Sequence, residues 1–260
     1  MPMSEVMIRE VKVVTTGYAP EFGQTMGLIY NAITPSGTNR FKGQGSYRLQ
    51  RDSFAAYPFF FQGARTATNR PPTEVNLFTA DLGGPIVKDR LHFFVGVEHT
   101  ERDLSGSRVI TISPANQTAL GLREPGAMPA ALNTEFAIGK LDYSLHANHR
   151  LSARTIVFDN FITNNIGGGL TSVQRGTDFT DRQYSSAAQL VSTLGSRTLN
   201  ELRVQYATRA QSRVPGAQAG TGPAVNISGV ANIGAPIGGS SDSGFAFTQD
   251  VFQVNNNLSL

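Results

Sequence analysis

Cysteine and tryptophan are absent from this 260-residue chain, and only 16% of its residues carry a charge. Without cysteine there is no disulfide scaffold, no thiolate metal site and no cysteine nucleophile. Four histidines, His92, His99, His146 and His149, leave little material for a histidine-based metal centre. Soluble domains carry roughly 25% charged residues. Here the low charge is not offset by hydrophobicity, since only 40% of the chain is hydrophobic. Glycine (27), proline (13) and small polar residues fill the difference. A net charge of +3 is too small to mark a nucleic-acid binder. No run approaches the ~18 apolar residues of a membrane helix. The most apolar short run, Phe54-Ala55-Ala56-Tyr57-Pro58-Phe59-Phe60-Phe61, is brief and broken by proline. Met1-Pro2-Met3-Ser4-Glu5 shows no leader pattern. The chain therefore reads either as cytoplasmic or as a fragment of something larger.

What is present is alternation. Leu91, Phe93, Val95 and Val97 fall on one face of a strand, and His92, Phe94, Gly96 and Glu98 on the other. Ala137, Gly139, Leu141, Tyr143 and Leu145 alternate with Ile138, Lys140, Asp142 and Ser144. Leu202, Val204 and Tyr206 alternate with Glu201, Arg203 and Gln205, and Phe41, Tyr47 and Leu49 with Lys42, Arg48 and Gln50. Each segment runs about ten residues, as strands that span a bilayer do. The segments pair across short turns at 84–90, 147–150 and 195–198, and long polar connections separate the pairs at about 52–74, 104–134, 162–181 and 210–246. The last of these has the composition of a flexible loop. In the second, Ser113 followed by Pro114 marks a short helix start.

Loops beyond ~12–15 residues are uncommon in compact soluble domains. Alternating short turns and long loops, with strands apolar on one face and polar on the other, are the signature of a membrane β-barrel. The expected fold is all-β: an antiparallel meander of long hairpins forming part of a transmembrane barrel. Leu91, Phe93, Val95 and Val97 should face lipid, and Lys140, Asp142, Arg154, Glu201 and Arg203 a wet interior. A small closed eight-stranded barrel is a variant of this reading.

Residues 8–38 depart from the rhythm. Gly17, Pro20, Gly23, Gly27, Pro35 and Gly37 break any long strand there. Glu21-Phe22-Gly23, the Gly27–Thr34 stretch and Ser36-Gly37-Thr38-Asn39 resemble the end of the plug domain in TonB-dependent outer-membrane receptors of the Oar-like branch. Arg51-Asp52 followed by Phe59-Phe60 is similar to that family's first outer loop. Leu82-Gly83-Gly84-Pro85-Ile86-Val87-Lys88-Asp89-Arg90 before Leu91-His92-Phe93-Phe94 is similar to its first periplasmic turn and third strand. The resemblance covers residues 8–104 and rests beyond them on hairpin rhythm alone.

It implies that residues 1–38 close a plug domain and residues 39–260 open a barrel of about 22 strands, so that the chain is a fragment. It further implies location in the bacterial outer membrane, contact with its lipid, and coupling to a TonB-type energy-transducing protein through parts absent here. Uptake of an unidentified substrate would follow. Ser36, Gly37, Thr38 and Asn39 would then form the plug–barrel joint, with Gly37 supplying flexibility. Arg51 with Tyr57, Phe59, Phe60 and Phe61 would form either a ligand-contact loop or an aromatic girdle at the outer interface.

Nothing in the residues points to catalysis, a cofactor or nucleic acid. His146 and His149 have metal-pair spacing but no third ligand beside them, and Gly167-Gly168-Gly169 lacks the Lys-Ser or Lys-Thr of a phosphate loop. A second class of function stays open at this stage: a soluble or secreted β-sheet binding or adhesion module, which would need a second apolar layer to cover the sheet.

Overall fold

Period-two patterning can satisfy its backbone only by pairing with neighbouring strands, and in the computed structural model it does so in one continuous sheet. The structure describes residues 4–14, 29–54, 56, 74–236 and 244–259. Two short N-terminal strands, β1 (Glu10–Val14) and β2 (Ile29–Ile33), form a separate antiparallel pair. The main sheet contains β3 (Lys42–Arg51), β4 (Glu74–Val87), β5 (Leu91–Asp103), β6 (Ala131–His146), β7 (His149–Ile166), β8 (Thr177–Leu194), β9 (Thr198–Pro215) and β12 (Phe245–Ser259). A small hairpin, β10 (Val225–Ile227) with β11 (Ala231–Ile233), lies between the last two. The eight strands follow one another in chain order from β3 to β12, every pair antiparallel. The terminal strands β3 and β12 do not pair with each other, so the sheet is an open arc of wall rather than a closed small barrel.

The register sets the two faces. Val97, Ala137, Val157, Tyr184 and Thr208 lie in one lateral row across β5–β9. With the rows toward the short turns, this row makes an outward belt in which Val95, Leu141, Tyr206 and Val254 are exposed. Among the described residues no second layer covers the belt, which removes the packing a soluble sheet module requires. One row further from the short turns the outward residues become His99, Glu135, Asp159 and Arg182. His99 bonds Glu135 at 2.5 Å and Arg182 bonds Asp159 at 2.9 Å. This charged row marks the outer edge of the hydrocarbon zone.

That edge explains why the strands are longer than their pattern indicates. β6 to β9 run 16 to 18 residues, well beyond the ten of the sequence reading. Their outer ends stand above the charged row, where neither face need be apolar and the alternation is lost. The first short turn is also tighter than expected. β4 continues through Pro85, opposite His92, to Val87, leaving Lys88–Arg90 as the turn. Proline is tolerated there because β3 stops at the Lys42–Gly83 pair, so Pro85 has no β3 neighbour that needs its missing N–H.

The outer connections are folded. The expected helix forms as α1 (Pro114–Ala119), with the Ser113 hydroxyl accepting from Asn116 N–H at 3.2 Å. Met128, with no exposed surface, packs with Ile110, Ile112 and Ala231, joined by Leu122, Val173 and Ile233. Within residues 214–244, read from composition as a flexible loop, the described part supplies the β10–β11 hairpin to this cluster. Val230, Ala231 and Ile233 are sufficient apolar anchors for an otherwise glycine-rich segment.

The belt can be tested in lipid. Val95→Arg should destabilise the complete barrel by about 2–4 kcal/mol, whereas Gln205→Arg, on the inward face, should change its unfolding free energy little. Equal losses in a denaturant titration in lipid vesicles would reverse the facing.

Candidate functional site

The inward face is where the N-terminal segment meets the wall. Residues Glu5–Met7 form a single 3-10 turn whose first N–H groups need a cap, and Ser4 supplies it by accepting from Val6 N–H at 3.3 Å. The same hydroxyl donates to Glu98 Oε2 of β5 at 2.6 Å. Val6 drops onto Gly96, where an added Cβ would lie 3.2 Å from both the Val6 and Ile138 side chains. Around it close Phe94, Phe136, Ile138, Ile156 and Phe158, with Ile8 alongside. Burying one such valine contributes about 1.5–3 kcal/mol. The wet interior expected along the whole wall is therefore apolar at this height, because Val6 takes the place of water.

Glu5 fixes the segment to the edge strand. Its two carboxylate oxygens accept from both terminal nitrogens of Arg48 at 2.5 and 2.6 Å. The hydrogen bonds from Arg48 hold the Glu5 carboxyl below its ordinary pKa. These contacts link residues 43 and 94 positions apart in the chain, and no local pattern signals them.

Past β2 the segment reaches Ser36-Gly37-Thr38-Asn39, and the structure brings Ser36, Gly37 and Asn39 against the wall. Ser36 Oγ accepts from Lys140 Nζ at 2.7 Å. Gly37 lies over the backbone of β4 and β5: an added Cβ would overlap the Phe93 carbonyl oxygen and approach that of Gly84 to 2.8 Å. Close approach to the wall backbone requires glycine there. Thr38 Oγ1 donates to the Arg40 carbonyl at 2.9 Å, closing a local turn. Asn39 clasps the short turn: its Nδ2 donates to the Asp89 carboxylate, while its Oδ1 accepts from Asp89 N–H and meets His92 Nε2, both at 2.8 Å. Asp89 holds φ of 63°, a left-handed turn position that aspartate tolerates.

Of the other candidate cluster, Arg51 lies within the described residues. Arg51 ends β3 and engages Glu74 at 3.0 Å and Asn76 at 3.1 Å on the neighbouring strand. Tyr57, Phe59, Phe60 and Phe61 lie outside the described residues, as does Glu21-Phe22-Gly23. At the second short turn the His146 and His149 rings stand 6.4 Å apart, and His149 Nδ1 bonds Ser192 at 2.9 Å. Nearer the outer rim, Asp181 faces inward and accepts from Arg209, Gln211 and Gln183.

An open antiparallel wall with an uncovered apolar belt, a charged outer rim and a polypeptide segment seated on its inner face defines an outer-membrane β-barrel segment. Residues 33–126 match the family model described as "Outer membrane beta barrel domain", and the chain is placed in the bacterial outer membrane. It is similar to the TonB-dependent transporter Oar of Myxococcus xanthus, at 31% identity over an alignment of 175 residues. That alignment takes in 58% of this chain and 16% of that protein, so the chain spans only a small part of its relative. No solved structure matches.

Two measurements check the seam. The folded-state pKa of Glu5 is lowered, so the Arg48 contact is fully present above the ordinary glutamate pKa and is lost only as pH falls through the lower folded value. Carboxyl NMR should give a Glu5 midpoint below 4.5, the ordinary value, and Arg48→Gln should return it there. Gly37→Ala should lower folding stability by about 1–3 kcal/mol through overpacking. Gly139→Ala, with no atom within 4 Å of the new methyl, should not.

Proposed function

We propose that the chain is part of a TonB-dependent outer-membrane receptor that takes up a substrate not identified by its sequence, with residues 1–38 the end of the plug and residues 39–260 the first part of the barrel. The observation that carries this reading is the position of residues 4–8 and 34–39. They lie on the inward face, and the β1–β2 pair is not incorporated into the wall. A strand-forming segment that belonged to the wall would instead extend the sheet at β3. The Oar resemblance supports the same division.

Within this reading the seam has two parts of different character. Ser36 to Asn39 is tied to backbone, to Lys140 and to the Asp89 turn, and forms the fixed side of the plug–barrel joint. Residues 4–8 are held by Val6 with Ile8 alongside, one hydroxyl and one exposed ion pair. A pull on the plug would release this patch first. An energy-transducing partner of the TonB type acts on parts of the receptor outside this chain, and Arg51 with the aromatic loop remains the candidate for substrate contact from the outer side.

The test needs no known substrate. In the complete receptor, Val6→Cys should be labelled by a polar maleimide faster in energised cells than after a protonophore. A disulfide between Ser4→Cys and Glu98→Cys should abolish that difference, and reduction should restore it. Equal labelling with and without energy would show that this segment does not move.

A further inference from the structure

Beside the seam, toward the short turns, the inner wall holds a cleft of about 430 Å3 lined by Thr34, Lys140, Ser152, Arg154, Gln189 and Arg203, with no aspartate or glutamate in its lining. That size lies within the range of small-molecule pockets. The register explains its composition. Lys140 and Arg154 sit opposite each other on β6 and β7, and the next row toward the turns brings Ser152, Gln189 and Arg203 to the same face.

The cations here are not equally satisfied. Lys140 donates to Ser36 and stands 3.7 Å from Asp142. Arg203 is bonded through Nε to Glu201 at 2.6 Å. Arg150 reaches Asp142 at 4.0 Å. Arg154 is half-buried and has no hydrogen-bond or ion-pair partner among the described residues. Four cations thus face two carboxylates, and the arginine left over, Arg154, lines the cleft with Lys140 and Arg203. A partly desolvated guanidinium loses hydration that only an anion or several acceptors can replace. Its fork geometry matches a carboxylate. The Ser152 hydroxyl is given to Asp142 and the Gln189 amide to Glu201, so further donors for a solute carboxylate come from the amides of Gln253 and Asn255 in the lining.

We propose that this cleft is a binding site for a carboxylate-bearing small solute crossing the lumen, with Arg154 as its principal contact and Lys140 as a secondary one. The inference rests on reading the inward face as a transport lumen, and it assigns a chemical class to the solute. Thr34 forms one wall of the cleft, so the site lies at the seam itself, and a solute there would be held between the N-terminal segment and the barrel.

The probe is citrate, titrated calorimetrically into the complete receptor in detergent at low ionic strength, with heat-modifiable gel mobility as the check on folding. The wild type should bind citrate, and affinity should fall as salt rises. Arg154→Gln should weaken binding at least tenfold and Arg154→Lys less. Arg182→Gln, which removes an outward-facing charge, should bind as the wild type does. Absence of citrate binding by the wild type, as when a carboxylate of the protein itself fills the cleft, would overturn the proposal. So would an Arg154→Gln protein that is folded and binds citrate with unchanged affinity. The titration uses no energised membrane, so its failure is separate from failure of the labelling test: a receptor can pass either one alone.

Discussion

A peptide group placed in hydrocarbon has no water to bond, so each N–H and C=O in the membrane must find a partner in the wall. That requirement governs the rest of this structure. It selects long antiparallel strands paired in chain order, because neighbours joined by a two- or three-residue turn are the nearest source of partners. It then frees the side chains from making a two-sided core. The sheet can be apolar toward lipid and variable toward the interior, and this is why the composition is low in both charge and hydrophobicity.

The interior uses that freedom in three zones. Toward the short turns it is cationic and hydrogen-bonding, with Lys140, Arg154 and Arg203. In the middle it is apolar, where Phe94, Ile138 and Ile156 receive Val6. Toward the outer rim it is polar again, around Asp181 and Arg209. Among the described residues a short turn of chain, Glu5–Met7, covers the middle zone. Gly96 lets that turn approach the wall backbone, much as Gly37 allows the approach over β4 and β5.

Facing was legible in the sequence wherever lipid imposes it. Val95 and Val97 are exposed and Phe94 and Gly96 buried, as the alternation of β5 requires. The short helix at Pro114 was legible from its serine cap. Strand ends were not, because above the charged row of His99, Glu135, Asp159 and Arg182 no solvent difference separates the faces and the period disappears. The folded outer connections were hidden for a different reason. Ile110, Ile112 and Met128 come from the β5–β6 connection and Ala231 from the β9–β12 connection, and no local period links the two. Asn39 and Gly37 stood out as motif residues, but their contacts with Asp89 and Phe93 depend on how the β4–β5 turn is presented. The motif therefore stood out in the sequence, but the close approach that makes glycine necessary at position 37 did not.

The clasp of Asn39 on Asp89 has a consequence for the order of assembly. It spans 50 residues, and the bond from Lys140 to Ser36 spans 104. The first cannot form until the β4–β5 hairpin has turned, nor the second until β6 has been laid beside it. Loop-closure entropy places such distant contacts late. The N-terminal segment, which precedes the wall in the chain, is thus among the last to settle. It must wait unpaired while the wall that will hold it is built strand by strand.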